Sequence, residues 1–98
     1  MIYVVATITA KPGKREALMA GAKPCIAATR KEKGCTSYDL FESTSEPGTF
    51  NFVERWETRE ALAAHMETDH LKAWRKVGAD CVATRAVEII HAGKVEKM

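Results

Sequence analysis

Glu54 and Trp56 stand two residues apart in the run Phe52-Val53-Glu54-Arg55-Trp56-Glu57, and His65 and His70 follow soon after. Residues two apart in an extended strand project from the same face, so this carboxylate and indole lie side by side. If that face meets a helical layer, Glu54 sits among apolar rings, which raises its proton affinity unless a donor or cation pairs it. A carboxylate so placed suits general base work, with His65 or His70 as its partner. The position also suits a structural bond from Glu54 to a helix-end amide or to one of the histidines. Buried ion pairs perturb proton affinity without being catalytic.

Other chemistries find less support. On one continuous helix, His65 and His70 would point about 140° apart at 3.6 residues per turn. Thr68 interrupts between them, which puts them on separate short helices that can converge but form no HExxH-type clamp. Cys25, Cys35 and Cys81 are odd in number and form no CxxC, so neither a metal site nor a disulfide framework is expected. Cys35 follows Gly34 with only Lys33 as a cationic neighbour and reads as a packing residue. His91, at the end of the last predicted strand, is expected to be exposed. Lys11-Pro12-Gly13-Lys14 is a basic turn rather than a phosphate loop, and no GxSxG elbow occurs.

The elements that must position these groups follow from periodicity. Ile2 to Ala10 is rich in β-branched residues on both alternating sets, which predicts a strand covered on both faces. Arg15 to Lys33 repeats Leu18, Ala22, Cys25, Ile26 and Thr29 at helical spacing, with a kink or break expected at Pro24 and Gly34 as an αL cap. Cys35 to Ser43 and Thr49 to Glu57 alternate around the turn cluster Ser43 to Gly48. Thr58 and Thr68 are placed to cap short helices running to about Met66 and from Asp69 to Ala79, and Ala83 to His91 closes the chain as a strand. The order is β-α-β-β-α-β. This is the ferredoxin-like plan of the α+β class, with an antiparallel sheet and helices on one face.

Composition bounds the function. The 98 residues, 46% hydrophobic and 29% charged, fit one domain spanning 1–98 with a modest core. Lys plus Arg number 15 against 13 Asp plus Glu, a formal charge of +2, which argues against a nucleic-acid or membrane-surface binder. No apolar run approaches the ~18 residues of a membrane span, and the start Met1-Ile2-Tyr3-Val4 lacks signal-peptide character, so a cytoplasmic location is expected. RNA-recognition domains share this element order. Here Thr49, Asn51 and Arg55 occupy positions that such domains give to glycines and an aromatic, and Glu54 and Glu57 put negative charge in the path of a phosphate chain.

Glu54-x-Trp56-x-Thr58, Ala61-Leu62-x-x-His65 and Thr68-x-His70-x-Lys72 together resemble the antibiotic biosynthesis monooxygenase (ABM) domain, in particular its small quinol monooxygenase-like members. Gly34-Cys35-x-x-Tyr38-x-Leu40 and the segment Val5 to Lys14 extend the resemblance over nearly the whole chain. Asp69 stands where members commonly carry Pro, and both residues suit a helix's first turn. The resemblance implies a homodimeric α/β barrel joined through the sheet, with a pocket between sheet and helices in each subunit. It also implies oxidation of a small aromatic quinol or polyphenol by molecular oxygen, with neither metal nor flavin. On that basis Trp56, Tyr38 and Phe52 are expected to contact the substrate ring, His65 and His70 to move protons, and Glu54 to orient one histidine. A binding protein for a hydrophobic metabolite, or a haem-degrading or signal-molecule-processing relative of the same fold, is the alternative. Haem is disfavoured because the first strand lacks the Asn expected of that type.

Overall fold

Nine consecutive residues with four β-branched or apolar side chains on one face form β1 (Ile2–Ala10), and Ile2, Val4, Ala6 and Ile8 are all buried. In a computed structural model describing residues 1–98, β1 is followed by α1 (Arg15–Thr29), β2 (Cys35–Glu42), β3 (Thr49–Trp56), α2 (Arg59–Met66), α3 (Asp69–Cys81) and β4 (Val82–His91). The strands form one antiparallel sheet in the order β2-β3-β1-β4. All three helices cover one face, as the ferredoxin-like plan requires. No helix is long and apolar enough to cross a membrane.

Strand register decides which side chains share the covered face. Tyr38 pairs with Glu54, Glu54 with Val4, and Val4 with Ile89, which makes one row across the sheet. The adjacent row is Leu40, Phe52, Ala6 and Val87. The opposite face, with Tyr3, Val5, Asn51, Val53 and Ile90, carries no layer in the single chain. The expectation that β1 is covered on both faces is therefore met on one face only.

Three local expectations are corrected. Pro24 does not break α1, which runs unbroken to Thr29; the ring lies on the exposed side, where the carbonyl of Ala20 that loses its donor can turn to water. The helix ends at Thr29 rather than Lys33. The amides of Lys31 and Glu32 switch to Ala28 and Thr29 carbonyls, at 3.1 and 3.0 Å, and the chain winds into a tight turn. Gly34 is thus not the helix cap. It is the last residue of that turn, with φ +83°, and a Cβ there would lie 2.6 Å from the Cβ of Ala61 on α2. Only glycine lets the α1–β2 turn approach α2 so closely, and that approach brings residue 32 to the site. The capping threonines are where the sequence puts them, Thr58 accepting from Ala61 N at 3.1 Å and Thr68 from Leu71 N at 3.3 Å.

Candidate active site

Between the sheet and α2–α3 lies a mainly apolar cavity of about 350 Å3. Its floor is made by Val4, Ala6 and Ile8 on β1, Phe52 and Glu54 on β3, Tyr38 on β2, and Val87 and Ile89 on β4. Its roof is Leu62, His65 and Met66 on α2 with Leu71 and Trp74 on α3, and Arg75 and Arg85 also line it. Both arginines are exposed and neither is ion-paired, so they add positive potential to an otherwise apolar space. Phe52 meets Trp74 edge-on with ring centroids 5.6 Å apart and Tyr38 at 5.4 Å.

Glu54 is 6% exposed, and its Oε1 accepts the indole N–H of Trp56 at 3.0 Å. Burial pushes this carboxyl up to about 7; the Trp56 bond opposes that rise, and the charge of Glu32 adds to it. Burial, reinforced by Glu54, also pushes the Tyr38 phenol far above its ordinary value, so Tyr38 stays neutral. Burial raises the Cys35 thiol to about 11, which suits a packing role rather than a nucleophile.

His65 is buried and lies against Trp56, with ring centroids 4.9 Å apart. Its Nδ1 is 2.7 Å from Oε2 of Glu32, and the same oxygen is 2.7 Å from Nε2 of His70. The break between α2 and α3 at Glu67 and Thr68 thus turns His70 back toward His65, although a single helix would have separated them. The carboxylate on Nδ1 fixes the His65 tautomer that carries its proton there. No other group of the chain engages Nε2, which leaves it free to accept a proton from a molecule in the cavity.

The residues singled out from sequence therefore divide. Tyr38, Phe52, Glu54 and His65 line the cavity. Trp56, expected against a substrate ring, is fully buried and instead supports Glu54 and His65 from behind the lining. His70 does not line the cavity and reaches it only through Glu32 and His65. Glu54, expected to orient a histidine, bonds to Trp56, and the orienting carboxylate is Glu32. Sequence reasoning missed Glu32, Trp74, Arg75 and Arg85. The spacing of Leu71 and Trp74, three apart on a capped helix, is the signal that could have placed Trp74 on the inner face.

Comparison with known proteins gives this geometry relatives. The chain is 35% identical over 83 residues to "Putative monooxygenase YcnE" of Bacillus subtilis, covering 85% of this chain and 87% of that one. It is 28% identical over 104 aligned positions to "Probable quinol monooxygenase YgiN" of Escherichia coli, covering 95% and 99%. Among solved structures, a "Putative antibiotic biosynthesis monooxygenase" from Nitrosomonas europaea superposes with a TM-score of 0.90 at 28% identity, covering 96% of this chain and all of that one. The profile described as "Antibiotic biosynthesis monooxygenase" matches residues 1–77. With most of its length under that profile, and with the sheet, helices and cavity in place, the chain belongs to the antibiotic biosynthesis monooxygenase family.

Proposed function

We propose that the chain is a cofactor-independent monooxygenase that oxidises a small aromatic quinol or polyphenol with molecular oxygen. One observation carries this reading: an imidazole whose Nδ1 is held by a carboxylate sits in the wall of an apolar cavity, with Nε2 unengaged. The relatives named as monooxygenases support the reaction class, and the name quinol monooxygenase of one relative supports the substrate class.

A deprotonated quinol is itself the reductant, so the protein need only bind it, remove a proton and keep water away. His65 takes the phenolic proton at Nε2, and Glu32 stabilises the imidazolium that results. Glu54, with its carboxyl near 7, exchanges the second proton from the sheet side of the same cavity. Tyr38, Phe52 and Trp74 hold the ring, and Arg75 and Arg85 favour the anion at the rim. A quinol and O2 then give a hydroxyquinone and water. The substrate supplies every electron, and one oxygen atom enters the product.

The uncovered sheet face supports a homodimer joined through the sheets. Phe41 and Ile90 are 55% and 45% exposed, beside half-buried Tyr3, Val5 and Val53. The deciding experiment is oxygen uptake by chelator-treated protein across a panel of benzo-, naphtho- and anthra-type quinols. Uptake lost in His65→Ala supports the enzyme. Saturable binding of the panel with no uptake above buffer overturns it in favour of a binding protein.

A further inference from the structure

We propose that Glu32, His65 and His70 form a binding site for a divalent transition-metal ion of the zinc type, behind the wall of the cavity that His65 lines. Oε2 of Glu32, Nδ1 of His65 and Nε2 of His70 all lie within 4.8 Å of one another. Both imidazoles aim a ring nitrogen at the same point, now held by Oε2 at 2.7 Å from each. A cation taking that point needs ligand distances of about 2.0–2.2 Å, so the rings close in by roughly half an ångström and the carboxylate withdraws. Glu32 can withdraw because it belongs to the turn after α1 and its side chain is 14% exposed. His65 is the anchored partner at 3% exposure, and His70, at 24%, opens the site to solvent as an entry path.

The donor set selects the ion. Two imidazoles and one carboxylate suit Zn2+, Cu2+, Ni2+ or Co2+, whereas Mg2+ and Ca2+ prefer all-oxygen cages. Three protein ligands leave a tetrahedral ion one open position, and of the three only His65 lines the cavity. The ion meets a bound molecule only through the His65 ring. An imidazole ligated at Nδ1 carries its proton on Nε2, so the loaded and empty chains present a donor and an acceptor, respectively, to the cavity. If the monooxygenase reading holds, the ion is an inhibitor, but its binding does not depend on that reading.

The test is titration of untagged, chelator-stripped protein with Zn2+ against a zinc-binding dye, paired with thermal melts. One Zn2+ per chain is expected, with no competition from excess Mg2+ and a melting point raised by zinc. Glu32→Gln and His70→Ala should each weaken binding by at least roughly tenfold and abolish the zinc-dependent melting shift. His91→Ala, which removes the histidine at the end of β4, should change neither. Circular dichroism checks folding, and Glu32→Gln, which preserves side-chain shape, decides the matter if His70→Ala folds poorly. Unchanged zinc affinity in Glu32→Gln, or no stoichiometric binding by the parent chain, overturns the site.

Discussion

Glu32 Oε2 and His65 Nδ1, 33 positions apart in sequence, are 2.7 Å apart in space, which ties the α1–β2 turn to the only histidine that lines the cavity. On the proposed reaction the carboxylate sets the ring's tautomer and Nε2 takes the proton, so the two residues should fail differently. His65→Ala is expected to lower turnover of a quinol about 10²–10⁴-fold, the usual worth of a general base. Glu32→Gln leaves the ring in place but loses the charge that steadies imidazolium, so a smaller loss, about 10–100-fold, is expected and should fall on kcat. Undiminished turnover in His65→Ala would show that His65 is not the proton acceptor.

Glu54 should leave a mark on the pH dependence of stability. Its carboxyl is raised from 4.5 to about 7 in the folded chain, so the folded state holds a proton that the unfolded state has already released. Between these two values the folded state binds more protons, and stability falls as pH rises through the window. Above about 7 the full penalty is present, on the order of 3 kcal/mol. Glu54→Gln keeps an acceptor for the Trp56 N–H and has no charge to bury. Denaturant melts should therefore show the variant close to the parent near pH 4.5 and more stable by about 1–3 kcal/mol at pH 8. A stability difference that stays constant across this range would show that Glu54 is not the titrating group.

Thr68 joins the two helices that carry the histidines. Its hydroxyl donates to the carbonyl of His65 at 2.8 Å and accepts from Leu71 N at 3.3 Å, so it both closes α2 and caps α3. Thr68→Ala should cost about 1–2 kcal/mol, and Thr68→Ser should restore most of it, since the hydroxyl rather than the methyl makes both bonds. In urea melts, equal losses for Ala and Ser would assign the effect to packing of the methyl instead.

The parts of this site that could be read from the chain are those governed by local rules. Phe50, Phe52, Glu54 and Trp56 alternate with Asn51, Val53 and Arg55, and strand periodicity alone puts the first set on the covered face. Thr58 and Thr68 announce helix starts by their type and by the acidic residues after them. Glu32 could not be found this way. It lies in a helical-looking stretch, and it reaches His65 only because α1 stops early and Gly34 admits the turn onto α2. The pairing of His65 with His70 likewise depends on the angle between two short helices, which no periodicity encodes. Trp56 lies on the face that alternation predicts but behind the cavity lining, because alternation tells which way a side chain points and not what lies above it.

Dimer formation through the open sheet face has a direct check. Tyr3 and Ile90 are register partners on that face, and both would be covered by a second sheet. Light scattering is expected to give twice the mass of the 10.8 kDa chain. Ile90→Asp should shift the protein to monomer while far-ultraviolet circular dichroism is kept, because the residue is 45% exposed in the single chain. A parent chain that is monomeric at micromolar concentration would remove the barrel arrangement.

The close approach of α1 and α3, which holds the roof of the cavity in place, rests on Gly21. A Cβ at this position would overlap Cγ1 of Val77 and come within 3.3 Å of its Cβ and Cγ2. Gly21→Ala therefore sets two effects against each other. Alanine gains about 1 kcal/mol of helix propensity, while forcing a stiff β-branched side chain out of a packed contact costs about 1–3 kcal/mol. The clash should win, because Val77 has a single favoured χ1 on a helix and cannot swing Cγ1 clear of the new methyl. A net loss of about 1–2 kcal/mol is expected for Gly21→Ala, with a lowered denaturation midpoint at unchanged m-value. Adding Val77→Ala removes the obstruction, so the propensity gain reappears and the double variant should be more stable than the sum of the two single changes by about 1–3 kcal/mol. Additive losses would mean that α1 and α3 separate to accommodate the methyl, in which case the change should also loosen Trp74 and weaken ligand binding in the cavity.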